Sequence, residues 1–365
     1  MMRENKAIMP DKQAKPTKKR GALHLGKLVI PRSVVSIAEK LLILAILALA
    51  IFYILPRFSS LEDSLDVLGQ MNPWLIALAF IAQFFSYLGN GMTISECVKL
   101  TQSKFSALYS LMIALASASV GLVAGGMFGS SANTFRWVKA DDGSNQGAAL
   151  AATLPPIFLD LVLLGVSVIG LVFLLLTHEL ANSQIIAFSV LTLLLILLAV
   201  LFYLANKHQE TAIRRVLAIM RGVFHFLRKD IDEIRLRAGL ERLFTSGRYL
   251  LKGGWKGPVK AASLNITMDM LTLYLVFLAS GEPVSAMELV AGYSLPWLIG
   301  RLAFIFPGGV GIIESTMVAM FVSLGVQQAT ATVAVLVYRV ISFWIPSLFG
   351  FVVLLVLNAI KSEEA

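Results

Sequence analysis

The chain has 365 residues and a net charge of +9; 57% of it is hydrophobic and only 15% charged, with a mean hydropathy of +0.79. Soluble domains carry about 25% charged residues, and runs of about 18 or more apolar residues recur here, so the composition excludes a soluble domain and reads as an all-α polytopic membrane protein. One cysteine, Cys97, excludes an internal disulfide, and the four scattered histidines show no metal-ligand spacing, so no metal and no cofactor is expected.

Residues 1–33 hold nine Lys/Arg against two acids and read as a disordered, basic cytoplasmic tail. A first span is predicted at about Val34–Leu55, with 34–358 forming one membrane domain and 359–365 a cytoplasmic tail. Residues 56–72 are weakly acidic and suit the outside. Asn72-Pro73-Trp74 opens a second span that runs to about Met92, Trp74 being placed for the interface. Phe105–Val123 is apolar but rich in Ala and Ser. It runs into Gly125-Gly126-Met127-Phe128-Gly129, followed by Arg136 and Lys139. Long apolar runs follow at Ala148–Leu176, which contains Pro155-Pro156 and Asp160, and at Gln184–Leu204.

Residues 207–257 carry twelve Lys/Arg against five acids. Ile213, Val216, Leu217, Met220, Val223, Phe224 and Leu227 recur at helical spacing between arginines. The pattern fits amphipathic helices on the membrane surface and equally a helix packed on the protein's own cytoplasmic face. Nucleic-acid binding is not expected, because both basic patches abut membrane spans. A further span is predicted at Val259–Ala279, with Asp269 inside it. Then come Ala286–Leu324 and a last span at Gln328–Leu357, which holds Arg339 and Pro346. A full crossing by Phe105–Val123 would put residues 207–257 outside, against the preference of Lys and Arg for the cytoplasm. A re-entrant hairpin over 105–140 keeps them inside, with both termini.

Pro307-Gly308-Gly309-Val310-Gly311-Ile312-Ile313-Glu314 is the wrong chemistry for a plain membrane helix. Proline and glycine break helical hydrogen bonding, and such backbone is tolerated at membrane depth only beside protein or a water-filled cavity. This break aligns without a gap to Gly126–Gly129 at an offset of 182, with Gln146 on Gln328 and Leu154 on Leu336. Each half then reads as span, span, re-entrant hairpin, span. The whole is about six full spans and two re-entrant hairpins, arranged as an inverted repeat.

Ionisable groups within the membrane are expensive and expected to be paired. The candidate substrate-binding residues are Arg136, Asp160, Asp269, Arg301, Pro307, Gly308, Gly309, Gly311, Glu314 and Arg339. Glu314 is expected to pair with Arg301 or Arg339. Arginines suit a lipid phosphate, because the guanidinium fork matches its oxygens. A structural salt bridge between helices is the competing reading.

The stretch Pro307-Gly308-Gly309-Val310-Gly311-x-x-Glu314, with Gly325-Val326 and with Arg339 ahead of Trp344 and Pro346, resembles the lysylphosphatidylglycerol synthase transmembrane family, over about residues 34–358. This is the flippase-like domain also found in the multiple-peptide-resistance factor. The family's first-half element usually reads Pro-Gly-x-x-Gly-Glu-x-x-Arg; here the acid is missing and Arg136 is displaced. The resemblance implies flipping of phospholipid or polyprenyl-lipid headgroups at a bacterial inner membrane. The partners would be anionic lipids and a lipid-synthesis enzyme. The alternative is a membrane enzyme or accessory subunit of lipid modification. Lysyl transfer is not expected, since no aminoacyl-transferase domain follows the last span, and neither paired carboxylates nor a nucleotide site is evident.

Overall fold

A computed structural model describes residues 23–25, 28–30, 61–101, 105–123, 126–142, 145–177, 207–226, 253–302 and 309–363, with single residues 193, 197, 200, 204 and 241. The predicted first span, most of Gln184–Leu204, and Pro307 and Gly308 lie outside them. The chain divides into two compact units, residues 1–52 and 53–365. In the first unit, β1 (Leu23–Leu25) and β2 (Leu28–Ile30) form an antiparallel hairpin with Leu25 opposite Leu28. Two residues separate the strands, the spacing of a tight hairpin turn. The sequence reading treats this stretch as part of a disordered tail.

The second unit is helical. Its elements are α1 (Leu61–Gln70), α2 (Pro73–Lys99), α3 (Ala107–Val123), α4 (Met127–Asp142), α5 (Asn145–Thr177) and α6 (Gln209–Phe226). They continue with α7 (Lys256–Ala279), α8 (Ala286–Leu302), α9 (Ile312–Ser323), α10 (Gln328–Arg339), a π-helical turn (Val340–Trp344) and α11 (Ile345–Glu363). Among the described residues, four helical stretches are long and apolar enough to cross a bilayer: Pro73–Lys99, Asn145–Thr177, Lys256–Ala279 and Gln328–Ile360. This is a multi-pass membrane protein. Its large exposed apolar side chains, among them Phe84, Ile169, Leu176, Phe349 and Leu355, fit a lipid-facing surface. Leu193, Leu197, Val200 and Leu204 are helical and exposed at spacings of three and four, which places them on one face.

Local sequence explains where these helices start and stop. Asn72 caps α2, its side chain accepting from the Trp74 N–H at 3.0 Å, and Pro73 takes the first turn, where a missing N–H costs nothing. Ser285 and Glu288 form a reciprocal box at the start of α8, with the Ser285 N–H donating to Glu288 at 2.7 Å. α3 and α4 make a helical hairpin that turns at Gly126, whose φ is 62°. Its polar residues are spent on one another. The Ser117 and Thr134 hydroxyls lie 2.9 Å apart, Asn133 donates to Ser117, and Trp137 donates to Asn133. α8 and α9 pack together as a second hairpin.

α2 and α7 run antiparallel through the centre. The Asn72 N–H donates to the Ala279 carbonyl, Thr272 to the Ala79 carbonyl, and Asn265 to the Ser86 carbonyl at 2.8 Å. Gly89 permits this contact: a Cβ there would lie 2.6 Å from the backbone nitrogen of Asn265. The main apolar core gathers Val276, Phe277, Met317, Phe321, Val335 and Tyr338, with the Phe277 and Phe321 rings 4.4 Å apart. On α6, Ile213 is buried and Val216 and Leu217 are half-buried, while Arg214 and Arg215 are exposed. The apolar face of this helix therefore meets protein at its start.

Candidate functional site

The break before α9 builds one end of the site. Gly311 takes a φ of 85°, in the left-handed region that favours glycine, and stands at the N-cap of α9. Three residues on, Glu314 reaches back, and its Oε2 accepts the Gly311 N–H at 2.7 Å. The Gly-x-x-Glu spacing is thus a helix start, with the acid answering an otherwise orphaned donor. The other oxygen, Oε1, takes the Arg339 Nε–H at 2.6 Å. Arg339 is 1% exposed and Glu314 6%. Of the two partners expected for Glu314, the structure selects Arg339. A buried pair of this kind holds only because each charge has the other. The Arg339 guanidinium also lies 4.4 Å from the Phe343 ring centre and 5.6 Å from that of Trp297.

Arg301 pairs with Asp160 instead, Nε to Oδ1 at 2.9 Å, with both side chains about a third or more exposed. The contact is an ion pair without an aligned hydrogen bond. Asp269 forms a third group. Its Oδ2 accepts from the Tyr293 and Tyr338 hydroxyls, both at 2.7 Å, and the Tyr338 oxygen accepts from Trp297 Nε1 at 3.3 Å. Tyr338 and Arg339 are neighbours at the end of α10, so one helix end holds both Asp269 and Glu314.

Two cavities meet at these residues. One, of about 240 Å³, is lined by Gln83, Tyr87, Asn265, Asp269, Arg339 and Ser342, among others. The second, of about 270 Å³, runs along the first hairpin past Ser117, Gly126, Ser130 and Thr134. Asn90, Leu159, Arg301 and Phe343 line both, so Arg301 stands where they join.

Residues 40–350 match the family described as the lysylphosphatidylglycerol synthase TM region. The chain belongs to this family. Similar curated proteins include a UPF0104 membrane protein of Methanothermobacter thermautotrophicus, 32% identical over 170 residues, which are 43% of this chain and 48% of that protein. A second from the same organism is 27% identical over 206 residues, 54% and 57% of the two chains. One from Pyrococcus horikoshii is 24% identical over 176 residues, 46% and 51%. The chain spans about half the length of these relatives, and all three come from archaea.

Of the candidate residues, Asp269, Arg301, Glu314 and Arg339 come together, and Asp160 joins through Arg301. Gly311 acts through its N–H. Gly309, with φ of 63°, is buried where a Cβ would press on Ile313. Arg136 lines neither cavity; its guanidinium donates to Asn358 at 3.3 Å and lies over Trp137. Sequence reasoning missed Gln83, Tyr87, Tyr293, Trp297, Tyr338 and Ser342. Hydroxyls and amides in apolar spans were the available signal, because a buried polar group needs a partner, but only the fold shows whose.

Proposed function

We propose that this protein carries the phosphate-bearing headgroup of an anionic phospholipid or polyprenyl lipid across the plasma membrane. The path is the joined cavities, and the termini and residues 207–257 are cytoplasmic. The observation that carries this is Arg301. It is a half-exposed guanidinium on the wall shared by two cavities, held by a partly exposed ion pair that a phosphate can displace. Membership of the family supports it.

An inverted repeat gives the path two ends. Adding the offset of 182 to α2 and α5 lands within two residues of α7 and of Gln328–Ile360. The packing exchanges in the same way, α3 lying on α11 and α8 on α5. Each long helix carries an irregularity in its first half, Pro155-Pro156 inside α5 and the π-turn at Val340–Trp344 in Gln328–Ile360. α3 and α8 have 17 residues each, about 25 Å of helix against a hydrocarbon core of about 30 Å, which suits re-entrant hairpins.

The test is reconstitution into liposomes with tail-labelled phosphatidylglycerol, phosphatidylcholine or a polyprenyl phosphate, quenched from outside. Quenching beyond the outer-leaflet share is expected for an anionic lipid. Arg301→Gln is expected to slow it about tenfold or more while the thermal midpoint holds, as for loss of one charge-assisted contact. Quenching of the outer leaflet alone, for every lipid, would sink the proposal.

A further inference from the structure

The charges around the smaller cavity do not balance. Arg301 pairs with Asp160 and Arg339 with Glu314, which leaves Asp269 as a carboxylate with no ion pair of its own among the described residues, Arg339 acting on it only from a distance. It is 8% exposed. The hydrogen bonds it accepts at 2.7 Å come from two neutral hydroxyls, both on Oδ2. An isolated buried carboxylate is costly, and hydroxyl donors soften that cost without removing the charge.

A second observation points to what is wanted there. Gln83 Oε1 and Ser342 Oγ are both buried, in residues 4% and 7% exposed, and neither has a hydrogen-bond partner. Both line the same cavity as Asp269, and the Gln83 side chain stands beside its carboxylate. Buried polar atoms are rarely left unsatisfied, and such an atom in a polar cavity calls for a missing ligand. An amide oxygen, a hydroxyl and a carboxylate are hard oxygen donors carrying one negative charge between them. No group of three or more His, Cys, Asp or Glu able to hold a metal occurs among the described residues, so the set does not have the charge a divalent ion takes.

We infer that Asp269, Gln83 and Ser342 form a site for one monovalent cation, a sodium ion or a proton, that couples to lipid movement. The coupling rests on the transport reading above; the binding does not. Position explains how it would act. Tyr338 bonds Asp269, and the adjoining Arg339 bonds Glu314, the acid that starts the second half of the second hairpin. Ser342 sits in the π-turn that follows, where its carbonyl accepts from Tyr87 at 3.2 Å. A cation on Asp269 would therefore tighten α7, α10 and the π-turn about the cavity that Arg301 opens onto. The charged and titratable groups facing Asp269 are Tyr87 from α2, Tyr293 and Arg301 from α8, and Tyr338 and Arg339 from α10. Glu314 stands behind Arg339 and Asp160 behind Arg301.

The experiment uses the full chain in detergent, with sodium chloride replacing choline chloride at constant ionic strength and alkaline pH. Sodium is expected to raise the thermal midpoint saturably, as a ligand of the folded state must. Asp269→Asn is expected to abolish the rise, and Glu288→Gln, at a half-buried carboxylate outside the cavity, to keep it. Ser342→Ala loses an oxygen that bonds nothing. It should therefore fold and weaken sodium binding about tenfold, the effect of one lost contact. If choline and sodium give the same midpoint, the proton arm is read by infrared difference spectroscopy on acidification. A protonated-carboxyl band absent from Asp269→Asn is then expected. No sodium effect together with no such band overturns the inference. Lipid movement at one rate in choline and sodium, at both pH values, overturns the coupling and leaves the transport reading standing.

Discussion

Glu314 does two jobs with two oxygens, and that makes it the residue where substitution is most informative. Glu314→Gln keeps the shape and can still accept the Gly311 N–H, but it leaves the Arg339 charge uncompensated in a site 1% exposed. Breaking a buried pair by removing one partner costs about 3–5 kcal/mol. The variant should lose several degrees in thermal midpoint, and replacing both residues with Met should recover much of the loss. A Glu314→Gln midpoint equal to wild type would mean that the pair contributes little. The acid was legible in the sequence because a carboxylate in an apolar run is conspicuous, and Arg339 for the same reason. Their pairing was legible only as a choice between Arg301 and Arg339, since α9 and α10 bring Glu314 and Arg339 together through packing that spacing does not encode. Tyr293 and Tyr338 were harder still. A tyrosine in an apolar helix reads as core until its hydroxyl is seen to bond Asp269.

Among the elements, the break before α9 is the part the sequence foretold best, because proline and glycine leave few other readings. A Cβ at Gly311 would have no neighbour within 4 Å, so Gly311→Ala meets only the strain of a φ of 85°. The expected cost is about 1–2 kcal/mol, seen as a lowered midpoint with lipid movement retained. Loss of movement without loss of stability would assign the position a role beyond helix initiation. The π-turn at Val340–Trp344 was only hinted at in advance. Its one marker is Pro346, which has no N–H to give the Ser342 carbonyl four residues back, so that carbonyl takes the Tyr87 hydroxyl instead. The extent of α3 was legible, the expected Phe105–Val123 standing against Ala107–Val123.

For the whole molecule, orientation is the prediction that labelling can decide. In a Cys97→Ser background, Glu288→Cys should react with a membrane-impermeant thiol reagent added outside. Arg214→Cys, exposed on the basic helix, should react only after permeabilisation. The reverse result would turn the proposed topology over. The site's charges are also unevenly shared along the chain. Asp269, Arg301, Glu314 and Arg339 all belong to the second half, and at the offset of 182 the first half offers Tyr87, Ser119, Ala132 and Ile157. If the halves share a fold, they no longer share its duties. The first, apart from Gln83, Tyr87 and Asp160, is free to wander as a packing frame, changing size against size, while the second is pinned by charge. Lineages of this protein should then diverge at two speeds along one chain.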